Sequence, residues 1–117
     1  MHLLERAQVG VVSQSMYYVT PDDLIALYYA MPFEHRKRGG CAWAMRPETM
    51  AHITRIKLGS GAYLYGALGD APPVTLLGCP VREDLEMPYV GPGKRSVLFV
   101  DFEDRDGPVL ALEHAAG

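Results

Sequence analysis

The chain has 117 residues, 49% of them hydrophobic and 21% charged, with a formal net charge of −3 and a pI near 5.7. That is one domain's length with an ordinary globular make-up, so a disordered chain and a multidomain machine are both excluded. The acidic balance leaves no basic footprint for nucleic acid. No apolar run approaches the roughly 20 residues of a membrane span, and the start His2-Leu3-Leu4-Glu5-Arg6 lacks a signal-peptide core, so a cytosolic start is expected.

Residues 1–18 read as a lead-in segment, β-prone from Val9 to Tyr18 but ambiguous. The first clear element opens at Thr20-Pro21-Asp22-Asp23. Thr20 can cap, Pro21 suits the first helical position, and Asp23 stands where a capping box puts its acid. Leu24, Leu27, Tyr28 and Met31 follow at helical spacing as one apolar stripe, and Pro32 stops the helix. Glu34 to Gly40 is polar, basic and glycine-ended, which predicts an exposed loop. Cys41-Ala42-Trp43-Ala44-Met45 reads as a buried strand. Pro47-Glu48-Thr49 begins a second helix with Met50, Ile53 and Ile56 on its apolar side and Gly59 as its cap.

Ala62-Tyr63-Leu64-Tyr65 reads as a short strand, and Gly66 to Pro73 as a Gly/Ala/Pro loop. Val74 to Leu77 reads as a strand that bends at Gly78 and continues through Cys79-Pro80-Val81 at a sheet edge. Met87 to Arg95 is a long turn. Ser96 to Phe102 is the best strand pattern in the chain; Asp106-Gly107-Pro108 turns it, and Val109 to Leu112 return as a final strand. Residues 114–117 read as a frayed tail. The sum is a single α+β domain over residues 19–113: a small mixed or antiparallel sheet flanked by about two main helices.

Motifs that would carry chemistry fail on inspection. Gly91-Pro92-Gly93-Lys94-Arg95-Ser96 lacks the first glycine and the hydroxyl residue of a phosphate loop, and a strand follows it. Gly59-Ser60-Gly61 is out of register for a dinucleotide fingerprint. Asp104-Arg105-Asp106-Gly107 approaches a calcium loop, but Phe102 occupies its first ligand position, so an acidic β-turn is the expectation. His2, His35, His52 and His114 show no metal-ligand spacing with one another or with Cys41 and Cys79. Both cysteines read as small apolar fillers. No catalytic residue, metal or cofactor is expected.

Order along the chain says more than any single motif. Thr20-Pro21-Asp22-Asp23-Leu24 leads into Tyr28-Tyr29-Ala30-Met31-Pro32. Ala42-Trp43-Ala44-Met45 and a Pro-Glu-Thr helix start follow, then Gly61-Ala62-Tyr63-Leu64, Leu77-Gly78-Cys79-Pro80-Val81, Met87-Pro88 and Asp101-Phe102. Over residues 19–102 this series resembles the axial-domain stretch of the major capsid proteins of tailed bacteriophages, the family with the Hong Kong-phage capsid fold. That family's glycine before Asp-Phe is Val100 here.

The resemblance implies a structural, non-enzymatic subunit of a virion, which would be free in the host bacterial cytoplasm as an isolated chain. It finds no counterpart here for the family's N-terminal arm, extended loop or spine helix. It implies self-association around five-fold and six-fold axes, with copies of itself and other capsid components as partners and no membrane partner. None of the family's cross-linking residues carries over. Head-to-tail contacts need two different patches, sought at Phe33 to Gly40 and at Gly66 to Gly93. The candidate contact residues are Phe33, Glu34, Arg36, Lys37, Arg38, Asp70, Lys94 and Arg95. Two other readings stand beside it: a small binding module or enzyme with a cleft near Gly66 to Pro73, and nucleic-acid contact through Arg36, Lys37 and Arg38.

Overall fold

A computed structural model describes residues 2–56 and 75–116. Ten elements follow in order: α1 (His2–Arg6), β1 (Gln8–Ser13), α2 (Pro21–Ala30), α3 (Phe33–Arg36), β2 (Cys41–Met45), α4 (Pro47–Thr54), β3 (Thr75–Leu76), β4 (Cys79–Glu83), β5 (Arg95–Asp101) and β6 (Val109–His114). The strands form one six-stranded mixed sheet in the order β1-β6-β5-β2-β4-β3. β1/β6 and β2/β4 are parallel, and the other three pairings are antiparallel. The α+β expectation, with α2 and α4 as the two main helices, is met.

The capping chemistry of α2 is present atom for atom. Thr20 Oγ1 accepts from the Asp23 amide at 3.2 Å, and Asp23 Oδ2 accepts from the Thr20 amide at 3.0 Å. The same carboxylate accepts from the buried Ser13 hydroxyl at 2.8 Å, so the cap also ties α2 to the end of β1.

Two apolar layers sandwich the sheet. Leu24, Leu27 and Met31 of the α2 segment and Met50 and Ile53 of α4 pack on the face carrying Trp43, Met45, Val97 and Phe99. On the other face, Ala44, Leu98, Val100 and Ala111 are covered by Met87 and by Leu3 and Leu4 of α1. β2 and β5 are therefore buried on both sides, which is why they read as continuous apolar runs instead of alternating ones.

Four local expectations change. Residues 1–18, read as a lead-in, contribute α1 to the second core layer and β1 to the sheet. The loop from Glu34 begins with a helical turn, α3, because Pro32 can sit at its N-cap with no amide to satisfy. Gly78 does not bend a continuing strand. Leu77 and Gly78 take φ of 50° and 79°, a two-residue turn with both positions left-handed, and it closes a β3–β4 hairpin that pairs Leu76 with Cys79. His114, assigned to the tail, ends β6 with its side chain buried. The second helix ends at Thr54; the Gly59 cap, the Ala62 strand and the Gly66 loop lie outside the described residues.

Candidate subunit-contact surfaces

At the start of β2 the chain has just left α3. Arg36 Nε donates to the Met31 carbonyl at 3.0 Å, and its guanidinium lies 5.1, 4.9 and 5.6 Å from the ring centres of Tyr28, Tyr29 and Phe33. Lys37 Nζ lies 5.7 Å from the Phe33 ring. Such cation–ring contacts contribute about 0.5–1 kcal/mol when exposed. Tyr29 and Phe33 remain 65% and 62% exposed, a large aromatic area left facing water.

His35 and Arg38 face the acidic turn. His35 Nδ1 donates to Asp101 Oδ2 at 2.7 Å, and Arg38 Nη2 lies 3.6 Å from Asp104 and 4.0 Å from Asp101. With the Nδ1 proton committed to the carboxylate, Arg38 Nη2 at 3.2 Å from that nitrogen is a neighbour and not a donor to it. Burial alone would raise the Asp101 carboxyl. The His35 hydrogen bond, the Glu103 amide and the Arg38 charge outweigh it and hold the group below the usual carboxylate range. Gly40 is required here, because a Cβ would meet the Glu103 side chain at 2.6 Å and an Asp101 carboxylate oxygen at 2.9 Å.

His35, Asp101 and Asp104 bring one ligand atom each within 4.8 Å of one another, a three-donor set the sequence spacing did not show. The Arg38 guanidinium already supplies the positive charge at that point, so a metal would have to displace it. The nearby Asp104-to-Gly107 segment is the acidic turn expected, with the Gly107 amide donating to the Asp104 carbonyl at 2.9 Å.

The far end of β2 lies roughly 13 Å away at strand rise. There Arg46 gathers the loop after β4. Its Nη1 donates to the Leu85 carbonyl, and its Nη2 donates to Glu48 at 3.1 Å and to the Tyr89 hydroxyl at 3.0 Å. Its guanidinium sits 3.9 Å from the centre of the Tyr89 ring. Arg46 also lowers the Glu48 carboxyl by hydrogen bond. Leu85 and Tyr89 are 68% and 61% exposed. A shallow groove lined by Tyr17, Glu48, Thr49, His52 and Tyr89 adjoins them.

The fold also forms a Ser–His pair. His114 Nδ1 donates to the Ser15 carbonyl at 3.0 Å, which leaves Nε2 to accept from the Ser96 hydroxyl at 2.7 Å. Both residues are buried in the sheet, so the pair ties strands together and has no access to a substrate. The cysteines are equally inert. Burial first, then Asp101 and Cys79, push the Cys41 thiol up to about 11, and burial raises Cys79 as well. Cys41 in the folded chain should therefore stay unmodified by Ellman's reagent at pH 7.5 for many minutes, and urea should release it at once. Rapid native labelling of Cys41 would contradict the burial.

Of the candidate contact residues, Phe33, Glu34, Lys37 and Arg38 are exposed beside α3, and Arg36 is half-buried under the rings. Lys94 is exposed at the head of β5. Arg95 is committed internally, to Glu113 at 3.1 Å and the Ala7 carbonyl at 3.2 Å. Asp70 lies outside the described residues. Sequence reasoning left Tyr29 and Arg46 outside both patches, and it did not single out Leu85 and Tyr89 within the stretch from Gly66 to Gly93. Tyr29 was detectable, since it falls off the apolar stripe of α2 and yet is aromatic.

The architecture is a mixed sheet packed between helical layers, with aromatic side chains exposed near both ends of β2. The structure matches a chain in the capsid of a native GTA particle computed with C5 symmetry, with a TM-score of 0.82 and 17% identity over 97% of this chain and 55% of that one. It also matches the capsid of an empty GTA particle, with a TM-score of 0.72 and 24% identity over 79% of this chain and 32% of that one. The chain thus spans about half or less of the solved subunits it resembles. No curated protein matches it. The phage capsid family matches residues 5–106, and the chain belongs to that family.

Proposed function

We propose that this chain is an axial-type brick of a phage-like shell, packing against copies of itself around the symmetry axes of a particle and catalysing nothing. The observation that carries the reading is the family match over nearly the whole chain, joined to a capsid fold over 97% of it. The exposed aromatic residues at the two ends of β2 supply contact area of the kind that subunit interfaces use. Rings of five or six copies are the arrangement the axes require. The place of action is the particle of the parent protein, reached from the bacterial cytoplasm. No observation favours the cleft reading, whose loop lies outside the described residues. Native mass spectrometry and negative-stain imaging across rising protein concentration test the reading. Closed rings of about five or six copies are expected, and a strict monomer up to about 1 mM would rule them out.

A further inference from the structure

We propose that Cys41 and Cys79 are a modification site, closing an internal disulfide that staples the β3–β4 hairpin to β2. The strand register places them together. β2 and β4 run parallel, with Trp43 opposite Val81, Ala44 opposite Arg82 and Met45 opposite Glu83. The same register, carried to the first residue of each strand, sets Cys41 opposite Cys79. Alternate residues share a sheet face, so both cysteines lie on the side of Trp43 and Val81, and both pack into the same core cluster. Neighbouring strands stand about 4.8 Å apart, within the range of about 4.4–6.8 Å that a disulfide sets between its Cα atoms. Both residues are free thiols, and the chain holds no other cysteine to compete for either.

The surroundings let the bond close. Pro80 has no amide to give to a ladder, and the pairing of β2 with β4 starts only at Trp43 and Val81. Cys79 is therefore free to move by the roughly 1 Å by which Cβ atoms at ladder spacing exceed the separation in a disulfide. Cys41 is buried and Cys79 half-buried, so exposure sets the order of events. The oxidant is a small disulfide such as oxidised glutathione. The Cys79 thiolate attacks one of its sulfurs, forming a mixed disulfide and releasing one glutathione thiolate. Cys41, whose Sγ lies 3.5 Å from the His35 carbonyl oxygen, loses its proton to solvent and attacks the Cys79 sulfur. The Cys41–Cys79 bond forms and the second glutathione thiolate leaves. The two electrons end on the two glutathiones, which take up the two protons the cysteines lost. Burial holds both thiols above their usual range, so the exchange is slow, in keeping with the slow labelling expected of Cys41. Once closed, the bond ties the hairpin at the sheet's edge to a strand of its interior. On the capsid reading, a chain made in the cytoplasm meets such oxidants after it has left the cell.

The test uses the full chain, purified in the reduced state. The native protein is held overnight with oxidised glutathione at about pH 8.5, where more of each thiol is ionised, and is read by intact mass and non-reducing peptide mapping. The expected product is a monomer that has lost two hydrogens, with one peptide pair joined through Cys41 and Cys79, and dithiothreitol should reverse it. The joined chain should melt about 5–10 °C above the reduced one, because the bond closes a long loop in the unfolded state. Cys41→Ala should stop the reaction at a glutathione adduct on Cys79, and Cys79→Ala should leave Cys41 a free thiol. Where a variant fails to fold, the wild-type peptide map decides alone. A wild-type adduct that persists on Cys79, disulfide-linked dimers, or no oxidation at all overturns the pairing. A joined chain that melts no higher than the reduced one overturns the staple. None of these readouts involves assembly, so a failure here leaves the capsid reading standing, and a failure to form rings leaves the staple standing.

Discussion

Trp43→Ala should destabilise the chain by about 3–5 kcal/mol, the range for emptying a fully buried large aromatic site. Trp43 is wholly inaccessible, its ring centre lies 4.3 Å from that of Phe99, and its indole Nε1 donates to the Leu76 carbonyl at 2.9 Å inside the core. That bond reaches from β2 across β4 to β3, so the substitution opens a cavity and also unpins the hairpin that ends the sheet. Trp43→Phe separates the two effects. It keeps most of the volume but leaves the Leu76 carbonyl without its donor, for about 1–3 kcal/mol. Because Trp43 is the single tryptophan, urea unfolding should be followed by circular dichroism instead of intrinsic fluorescence. Losses below about 1 kcal/mol for alanine would show that the core closes over the gap and that this anchor is dispensable.

Asp101→Asn is the second large effect, expected at about 2–3 kcal/mol at pH 7. The carboxylate is buried, accepts from His35 Nδ1 at 2.7 Å and from the Glu103 amide at 3.1 Å, and faces Arg38. An amide retains one acceptor oxygen and turns an N–H toward a donor. The pH dependence follows from the direction of the shift. The folded-state carboxyl titrates below its unfolded value, so its contribution is fully present above the ordinary aspartate value of about 4 and is lost as pH falls through the lower folded one. The stability gap between wild type and Asp101→Asn should therefore hold between about pH 5 and 7 and narrow below about pH 4. A gap that stays constant down to pH 2 would contradict the carboxylate's role. High salt should leave it largely intact, because the group is out of solvent.

What the residues announced in advance was local chemistry. Thr20 to Asp23 specify a cap that forms as drawn, and the apolar run Val97 to Val100 lies in a strand buried at every position after Arg95. What they concealed was distance. Gln8 to Ser13 looks ambiguous because its ladder partner stands at the other terminus of the chain, and His35 meets an aspartate 66 residues away. The Leu77-Gly78 turn was hidden for another reason: a leucine at positive φ breaks the usual turn chemistry, so the pair read as a bend within one strand. The contact surfaces were legible in part. The basic tetrad drew attention to α3, but two of its members turn inward, and the aromatic residues that hold the other exposed ground carry no motif.

The parallel pairing of β1 with β6 sets a timetable for biosynthesis. Its register matches Gln8 with Leu110, about a hundred residues on, and a contact of that span forms late. On the ribosome Gln8 to Ser13 must wait without their ladder partner until Val109 to His114 have been made. A nascent copy thus lacks the finished edge of its sheet until that late segment has emerged.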